Sequence, residues 1–444
     1  MIAALIGRIS AVHNNHKRIA SGAVLIGVLT LGAKLFVAAR EMAIAWRYGV
    51  SGTVDAYQLA ITITTWLPML INGVMTVVLV PRLVRLGHDG SDRRQFINEL
   101  NGTMVAIGIG VSALIWVAAP AAAAVLASGV NSSTLQMTAA MASEIAPVAF
   151  CIVVCGYLSV RLQARERFTY GASEAVPALA IAVFVILPMG MAGVIPLIAG
   201  SLVGYFLQVV VLGRMTQRGD PPIGTISIRH SSPEWRSLYA AITLMTLGQL
   251  LLNLTAPIDQ SFASRLGAGS VATLGYANRT ISLLTGLGAV VVARALLPVL
   301  SGAVAEGDHA LGRRQALQWA TLLGFVAAAG ACVLWLAAPM MVRLLFERGA
   351  FDETASALVA HVLRFGLVQL PFYYVNLVLV QWYAATSRYK PILVIFACGI
   401  LLKTGLNAVL APQLGVAGIA LSTSAMYLLT ASLLALGARR RRAA

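Results

Sequence analysis

Charge is what this sequence has least of. Only 11% of its 444 residues are Asp, Glu, Lys or Arg, less than half of the roughly 25% usual in a soluble domain. So few charges cannot cover a water-facing surface of this size, so the solvent over most of it must be lipid. Acidic residues are the scarcer sign, 16 against 32 basic. That leaves little material for an acidic metal cluster or a cation-attracting chamber. There are four cysteines, Cys151, Cys155, Cys332 and Cys398. All lie in apolar runs without a nearby His or carboxylate, and they read as buried packing residues rather than metal or redox pairs. Runs of the HExxH, GxSxG or P-loop kind are missing as well, and His88, His230 and His309 have no paired nucleophile beside them in sequence.

What is present is apolar sequence in membrane-length pieces. Hydrophobic residues make up 59% of the chain, and stretches of about 20 residues suffice to cross a bilayer. The pattern predicts an all-α integral membrane protein with spans near 20–47, 56–81, 99–126, 138–162, 172–190, 193–213, 238–262, 271–297, 316–338, 356–383, 391–410 and 415–437. The first twenty residues are too polar for a cleaved signal peptide. They read either as a short helix on the membrane surface or as a disordered tail. The net charge of +16 does not call for nucleic acid. With the amino terminus inside, the even-side segments hold 22 of the 32 basic residues, among them Arg82, Arg85, Arg93, Arg94, Arg313, Arg314 and Arg439 to Arg442. The opposite side has only Arg47, Arg265, Arg343 and Arg348. This positive-inside bias predicts a multi-pass protein of the inner membrane with both termini cytoplasmic.

The chain also repeats itself, with a period near 219 residues. Arg93-Arg94-Gln95 recurs as Arg313-Arg314-Gln315, ALIWVAAP at 113–120 as CVLWLAAP at 332–339, and Tyr57 as Tyr276. The repeat holds six spans, an even number, so the halves share one orientation and form parallel lobes around a central cavity. The predicted segments are 1–18 cytoplasmic, 19–214 first lobe, 215–236 linker, 237–438 second lobe and 439–444 basic tail.

Charges inside spans are costly and normally face a cavity or a partner. The basic ones are Lys34, Arg40, Arg279, Arg294, Arg364 and Lys403; the acidic ones are Glu41, Glu144, Glu174 and Asp259, with Asp55 just before the second span. Lys34 and Glu41 are seven apart on one face of the first span, and Arg40 and Arg47 lie on an adjacent face. Such a strip should line the cleft, with Arg279 meeting it from the other half. An excess of guanidinium there favours an anionic head group or pyrophosphate. The alternative is a structural ion pair of Arg40 with Glu41 or Asp55. Arg294 and Arg364 read as snorkelling, and Glu144 and Glu174 as interfacial.

The run Ala38-Ala39-Arg40-Glu41, then Ala45-Trp46-Arg47-Tyr48-Gly49, then Asp55-Ala56-Tyr57, resembles the amino-terminal signature of the MviN/MurJ lipid flippases of the multidrug/oligosaccharidyl-lipid/polysaccharide (MOP) exporter superfamily. Tyr276-Ala277-Asn278-Arg279, Leu296-Leu297-Pro298 with Ser301, and Leu344 to Asp352 resemble further family segments. The resemblance implies a transporter, not an enzyme. Its substrate would be a polyprenyl-pyrophosphate-linked saccharide, either lipid II or an exopolysaccharide precursor. It implies substrate contacts at Lys34, Arg40 and Arg279 and gate or ion-pair roles for Glu41, Arg47, Asp55 and Arg348. A region corresponding to the sodium site of some relatives contains Asn253, Asp259, Lys403 and Asn407. Lys403 there predicts coupling to membrane potential or protons rather than sodium, with no cofactor or metal. Membrane lipid and saccharide-assembly enzymes are the expected partners. The sequence departs from the family in three places. Trp66 to Leu70 carries no arginine, Asn278 replaces an acid, and twelve spans stand where fourteen are usual. Competing readings are a multidrug cation antiporter of the same superfamily, an integral-membrane glycosyltransferase or ligase, and a non-transporting scaffold.

Overall fold

The computed structural model describes residues 32–87, 90–187, 192–217, 227, 229–286, 309–386 and 388–440. The expected amino-terminal segment, the start of the first span, Arg294 and the motif at 296–301 lie outside them. Among the described residues the chain is helical without strands. The first half holds α1 (32–48), α2 (Gly52–Arg85), α3 (Ser91–Leu126), α4 (Ser132–Glu144), α5 (Pro147–Ala164), a 3-10 segment Phe168–Glu174, α6 (Ala175–Ile186) and α7 (Ile195–Thr216). The second holds α8 (Glu234–Asn253), α9 (Thr255–Ala263), α10 (270–286), α11 (His309–Phe346), α12 (Glu353–Leu367), α13 (Leu370–Ala385), α14 (Tyr389–Leu414) and α15 (Val416–Arg440). Helix occupies every expected span as far as the described residues reach. Among the described residues, eight helices are individually long and apolar enough to cross a bilayer, or nine if α12 and α13, bent by 42°, are one crossing.

The sequence repeat is a structural one. Helices α11, α12, α13 and α15 start 218 to 223 residues after α3, α4, α5 and α7. The caps repeat too. Asn131 accepts the Thr134 N–H at 2.9 Å to start α4, and Asp352 accepts the Ala355 N–H at 2.8 Å to start α12. Both halves then break a span in the same place, and Pro147 and Pro371 sit in the first turn beyond the break. A proline there loses nothing, because that N–H has no helical partner. Cys151 and Cys155 are buried on α5, whereas Cys332 and Cys398 sit exposed on α11 and α14. The expectation of four buried thiols therefore holds for the first half only: a lipid-facing helix surface is as apolar in sequence as a core.

One helix crosses the boundary between the halves. Trp235 and Leu238 of α8 pack in one core cluster with Leu70 to Leu83 of α2 and Phe96, Ile97 and Leu100 of α3. At its start the Glu99 carboxylate accepts the Trp235 Nε1–H at 2.7 Å and the backbone N–H groups of Ser231 and Ser232 at 3.2 and 3.1 Å. Arg82 Nη1 also meets Glu234 Oε2 at 2.9 Å.

At the opposite end of α2 the halves close against each other in a seam. The Ala350 N–H donates to Trp46 O at 2.8 Å and the Tyr276 hydroxyl to Gly49 O at 3.0 Å. Tyr276, buried, packs against Phe346 and Phe351 with centroids 5.2 and 5.3 Å away. Gly49 and Gly349 face each other's chains with φ of +57° and +64°; a Cβ on either would stand 2.3 Å from a backbone oxygen, Ala350 O or Trp46 O. Gly349→Ala should therefore cost about 1–3 kcal/mol and loosen the seam. Gly193 is the control, since its φ is +59° with nothing within 4 Å. Thermal unfolding in detergent should rank G349A well below G193A, and equal melting points would refute a close-packed seam.

Candidate functional site

Beneath the seam lies a cavity of about 560 Å³. It starts at Val54 and runs along α2 to Asn72, about 27 Å at 1.5 Å per residue. Its walls are α1, α2, α5, α6 and α7 of the first half, closed by Gln260 of α9 and Arg279 of α10.

Helix α1 supplies the charge. Lys34, Val37, Glu41 and Ile44 recur at three- and four-residue spacing and all line the cavity, as one helix face must. Arg40, beside them, also lines it. The Arg40 guanidinium forms an ion pair with the Glu41 carboxylate. The same Glu41 oxygen lies 3.4 Å from Arg279 Nε. One carboxylate, 7% exposed, thus joins arginines from the two halves, with Arg40 14% and Arg279 48% exposed. Arg279 lines the cavity, and Lys34 has no carboxylate within ion-pair distance among the described residues. Arg40 is ion-paired with Glu41, and both residues line the cavity. Three cations and two carboxylates, Glu41 and Glu174, line the space, so it remains net basic.

The remaining expected residues fall in three places. Asp55, fully buried, accepts the backbone N–H groups of Gly269 at 2.5 Å and Ala272 at 2.6 Å. It caps the start of α10 from across the seam, and free helix N–H groups serve a carboxylate as well as a cation does. Arg47 donates to Val185 O on α6 at 2.8 Å, and Arg348, just past the end of α11, bonds the Leu344 carbonyl of that helix. Deep in the second half, Lys403 Nζ meets Asp259 Oδ2 at 2.7 Å, and Asn407 Nδ2 donates to Asp259 Oδ1 at 3.1 Å. Lys403 and Asn407 are fully buried. Asn253 stands apart from them. Its side chain returns to Gln249 O, and its carbonyl accepts the Trp66 indole N–H at 3.0 Å. Four groups of one site were expected and three assemble, because the helix breaks at Leu254 between Asn253 and Asp259.

Sequence reasoning missed several cavity residues. Glu174, read as interfacial, ends the 3-10 segment and lines the cavity. Gln58, Tyr205 and Gln208 line it as well, and Tyr57 bonds Ser201 at 3.0 Å. The usable signal was polar residues at helical spacing, Gln58, Thr62 and Thr65 on α2. In the stretch where the expected arginines are missing, Met69 faces the cavity, with Asn72 a turn further on. Among the described residues there is no cluster of His, Cys, Asp or Glu able to hold a metal.

Comparison with known proteins agrees with this architecture. The family model described as lipid II flippase MurJ matches residues 44–444. A lipid II flippase MurJ of Burkholderia cenocepacia is 28% identical over 428 residues, spanning 93% of this chain and 82% of that protein. A solved lipid II flippase MurJ in an inward closed conformation superposes with a TM-score of 0.81 at 18% identity, covering 93% of this chain and 87% of that one. An inward-facing multidrug resistance MATE transporter of the MOP superfamily gives 0.75 at 14% identity, covering 94% and 98%. The two structural likenesses establish a shared fold.

Proposed function

Because this chain belongs to the lipid II flippase MurJ family, and is therefore a multi-pass membrane transporter and not an enzyme, we propose that it carries lipid II from the inner to the outer leaflet of the bacterial cytoplasmic membrane. The observation that carries the reading is the shared carboxylate. Glu41 holds Arg40 and Arg279, one from each half, around a single cavity. A pyrophosphate entering it competes with Glu41 for both guanidinium groups, which match phosphate oxygens with paired hydrogen bonds. Lys34 adds a third, uncommitted cation, and the polyprenyl tail stays in lipid between helices.

The lobes then rock. By the positive-inside bias the seam of Asp55, Tyr276 and Ala350 faces outward, and it must part for release. Seating the substrate phosphate on both halves changes their relative stability, which is what a conformational cycle needs from its ligand. The matching relatives are lipid II flippases, and they offer no support for an exopolysaccharide precursor. A cation antiporter is disfavoured because Glu41 is engaged by two arginines.

Reconstituted into vesicles with lipid II in one leaflet, the protein should move it to the other. Vesicles that extrude an organic cation while lipid II stays in place would overturn the proposal.

The Asp259 site does not fit a sodium ion, since the Lys403 ammonium already sits 2.7 Å from the carboxylate. Flipping should accordingly be indifferent to a sodium gradient at clamped voltage and pH, leaving membrane potential or protons as the drive. Acceleration by sodium would contradict this.

A further inference from the structure

Away from the central cavity, α11 and α12 enclose a second recess of about 250 Å³, lined by Pro339, Arg343, Glu353, Ser356, His361 and Arg364. We infer that this recess binds the phosphate of a membrane phospholipid.

Arg364 is its centre. It lies eleven residues beyond Glu353 on α12, about 16 Å along the helix. It does not snorkel freely outward. Pro339 has no N–H to give to the Trp335 carbonyl one turn back, and Arg364 Nε takes that vacant acceptor at 3.2 Å. Its guanidinium also stacks over the Trp335 ring, 4.7 Å from the centroid. One edge of the group is thereby tied down, and no carboxylate lies within ion-pair distance among the described residues. An intramembrane cation without a counter-charge is a functional feature by default.

Two further observations point to an anionic ligand. Ser356 lines the recess, is 3% exposed, and its Oγ has no hydrogen-bond partner. Other helical hydroxyls, among them Thr64, Ser201, Thr280 and Ser422, bond the carbonyl four residues back. A buried hydroxyl left without such a bond calls for an outside partner. The repeat supplies the second observation. Pro120 and Trp116 of α3 reproduce Pro339 and Trp335 of α11, but the positions equivalent to Arg364 on the first-half span hold Ser143 to Ile145, without a basic residue. The shared fold packs without the arginine, so packing does not explain it.

The recess has an acidic mouth. Arg343 is paired to Glu353 at 2.9 Å and to Glu347 at 3.4 Å, so its own charge is spent there. An anion therefore has to seat deeper, at Arg364, Ser356 and His361. The recess lies between α11 and α12, which expose Leu336, Met340, Leu344 and Leu358, so a phosphate anchored by acyl chains can approach it from the lipid side.

The test is native mass spectrometry of the full chain in detergent with added dioleoyl phosphatidylglycerol. Diacylglycerol serves as the phosphate-free control and millimolar inorganic phosphate as competitor. The wild type should hold one more phosphatidylglycerol than Arg364→Gln or Ser356→Val, and R364K should hold it with at most a few-fold loss. Arg279→Gln should retain it, which separates this recess from the central cavity. Unchanged melting of lipid-free R364Q verifies that the variant is folded. Equal lipid retention by wild type and both variants would overturn the inference, as would equal retention of diacylglycerol. Displacement by inorganic phosphate would reassign the recess to a soluble anion.

Discussion

Arg279→Gln is expected to slow lipid II flipping roughly ten- to a hundredfold, the worth of one charge-assisted contact of about 1.5–3 kcal/mol, while leaving the fold intact. Its side chain is 48% exposed and touches Glu41 only at 3.4 Å. Little native-state energy therefore depends on it, and its donors remain for the substrate. Arg40→Gln should lose flipping to at least the same degree but behave differently as a protein. Arg40 is the close partner of a carboxylate that is 7% exposed, so its removal leaves Glu41 buried with one distant cation. R40Q should then unfold earlier, and R40Q/E41Q should regain stability without regaining activity. Measuring flipping in vesicles alongside thermal unfolding separates the two roles. Full flipping by both R279Q and R40Q would remove the proposed site.

Lys403→Met should destabilise the fold more than either arginine change. It strands the Asp259 carboxylate at a buried position, and breaking such a pair from one side costs about 3–5 kcal/mol. The remaining partner, Asn407 at 3.1 Å, cannot neutralise the charge. Changing both partners to apolar residues, Lys403→Met with Asp259→Leu, should return most of that loss, because a buried ion pair and a packed apolar pair are often close in stability. If K403M melts with the wild type, the pair is not the internal tie that its distances imply. A double variant that is stable and still flips would place the pair outside the transport cycle.

Much of this was legible because membranes simplify the problem. Apolar runs mark spans without tertiary information, and a repeat of 219 residues carries its caps, prolines and breaks with it. The charged clusters were legible for a related reason: when a span contains Asp259, Lys403 or Arg40, few partners are available. What escaped was contact between unlike groups. The carboxylate of Asp55 went to backbone N–H groups at a helix start rather than to an arginine. Arg47 and Arg348 went to carbonyls, which every residue has and no side-chain pattern reveals. Glu174 was hidden by geometry, since a short 3-10 turn moves it from the apparent end of a span into the cavity wall. The docking of α8 on the first half was invisible because its apolar face reads alike whichever bundle it covers.

The seam has a consequence for how such a protein tolerates drift. Trp46, Gly49, Gly269, Ala272 and Ala350 all contribute through main-chain atoms, which substitution cannot delete. Only Asp55 and Tyr276 contribute these bonds through side chains. A closure written largely in backbone can keep its strength while most of the surrounding letters change, and its vulnerability is concentrated at two positions and at the glycines that let the two sides of the seam approach.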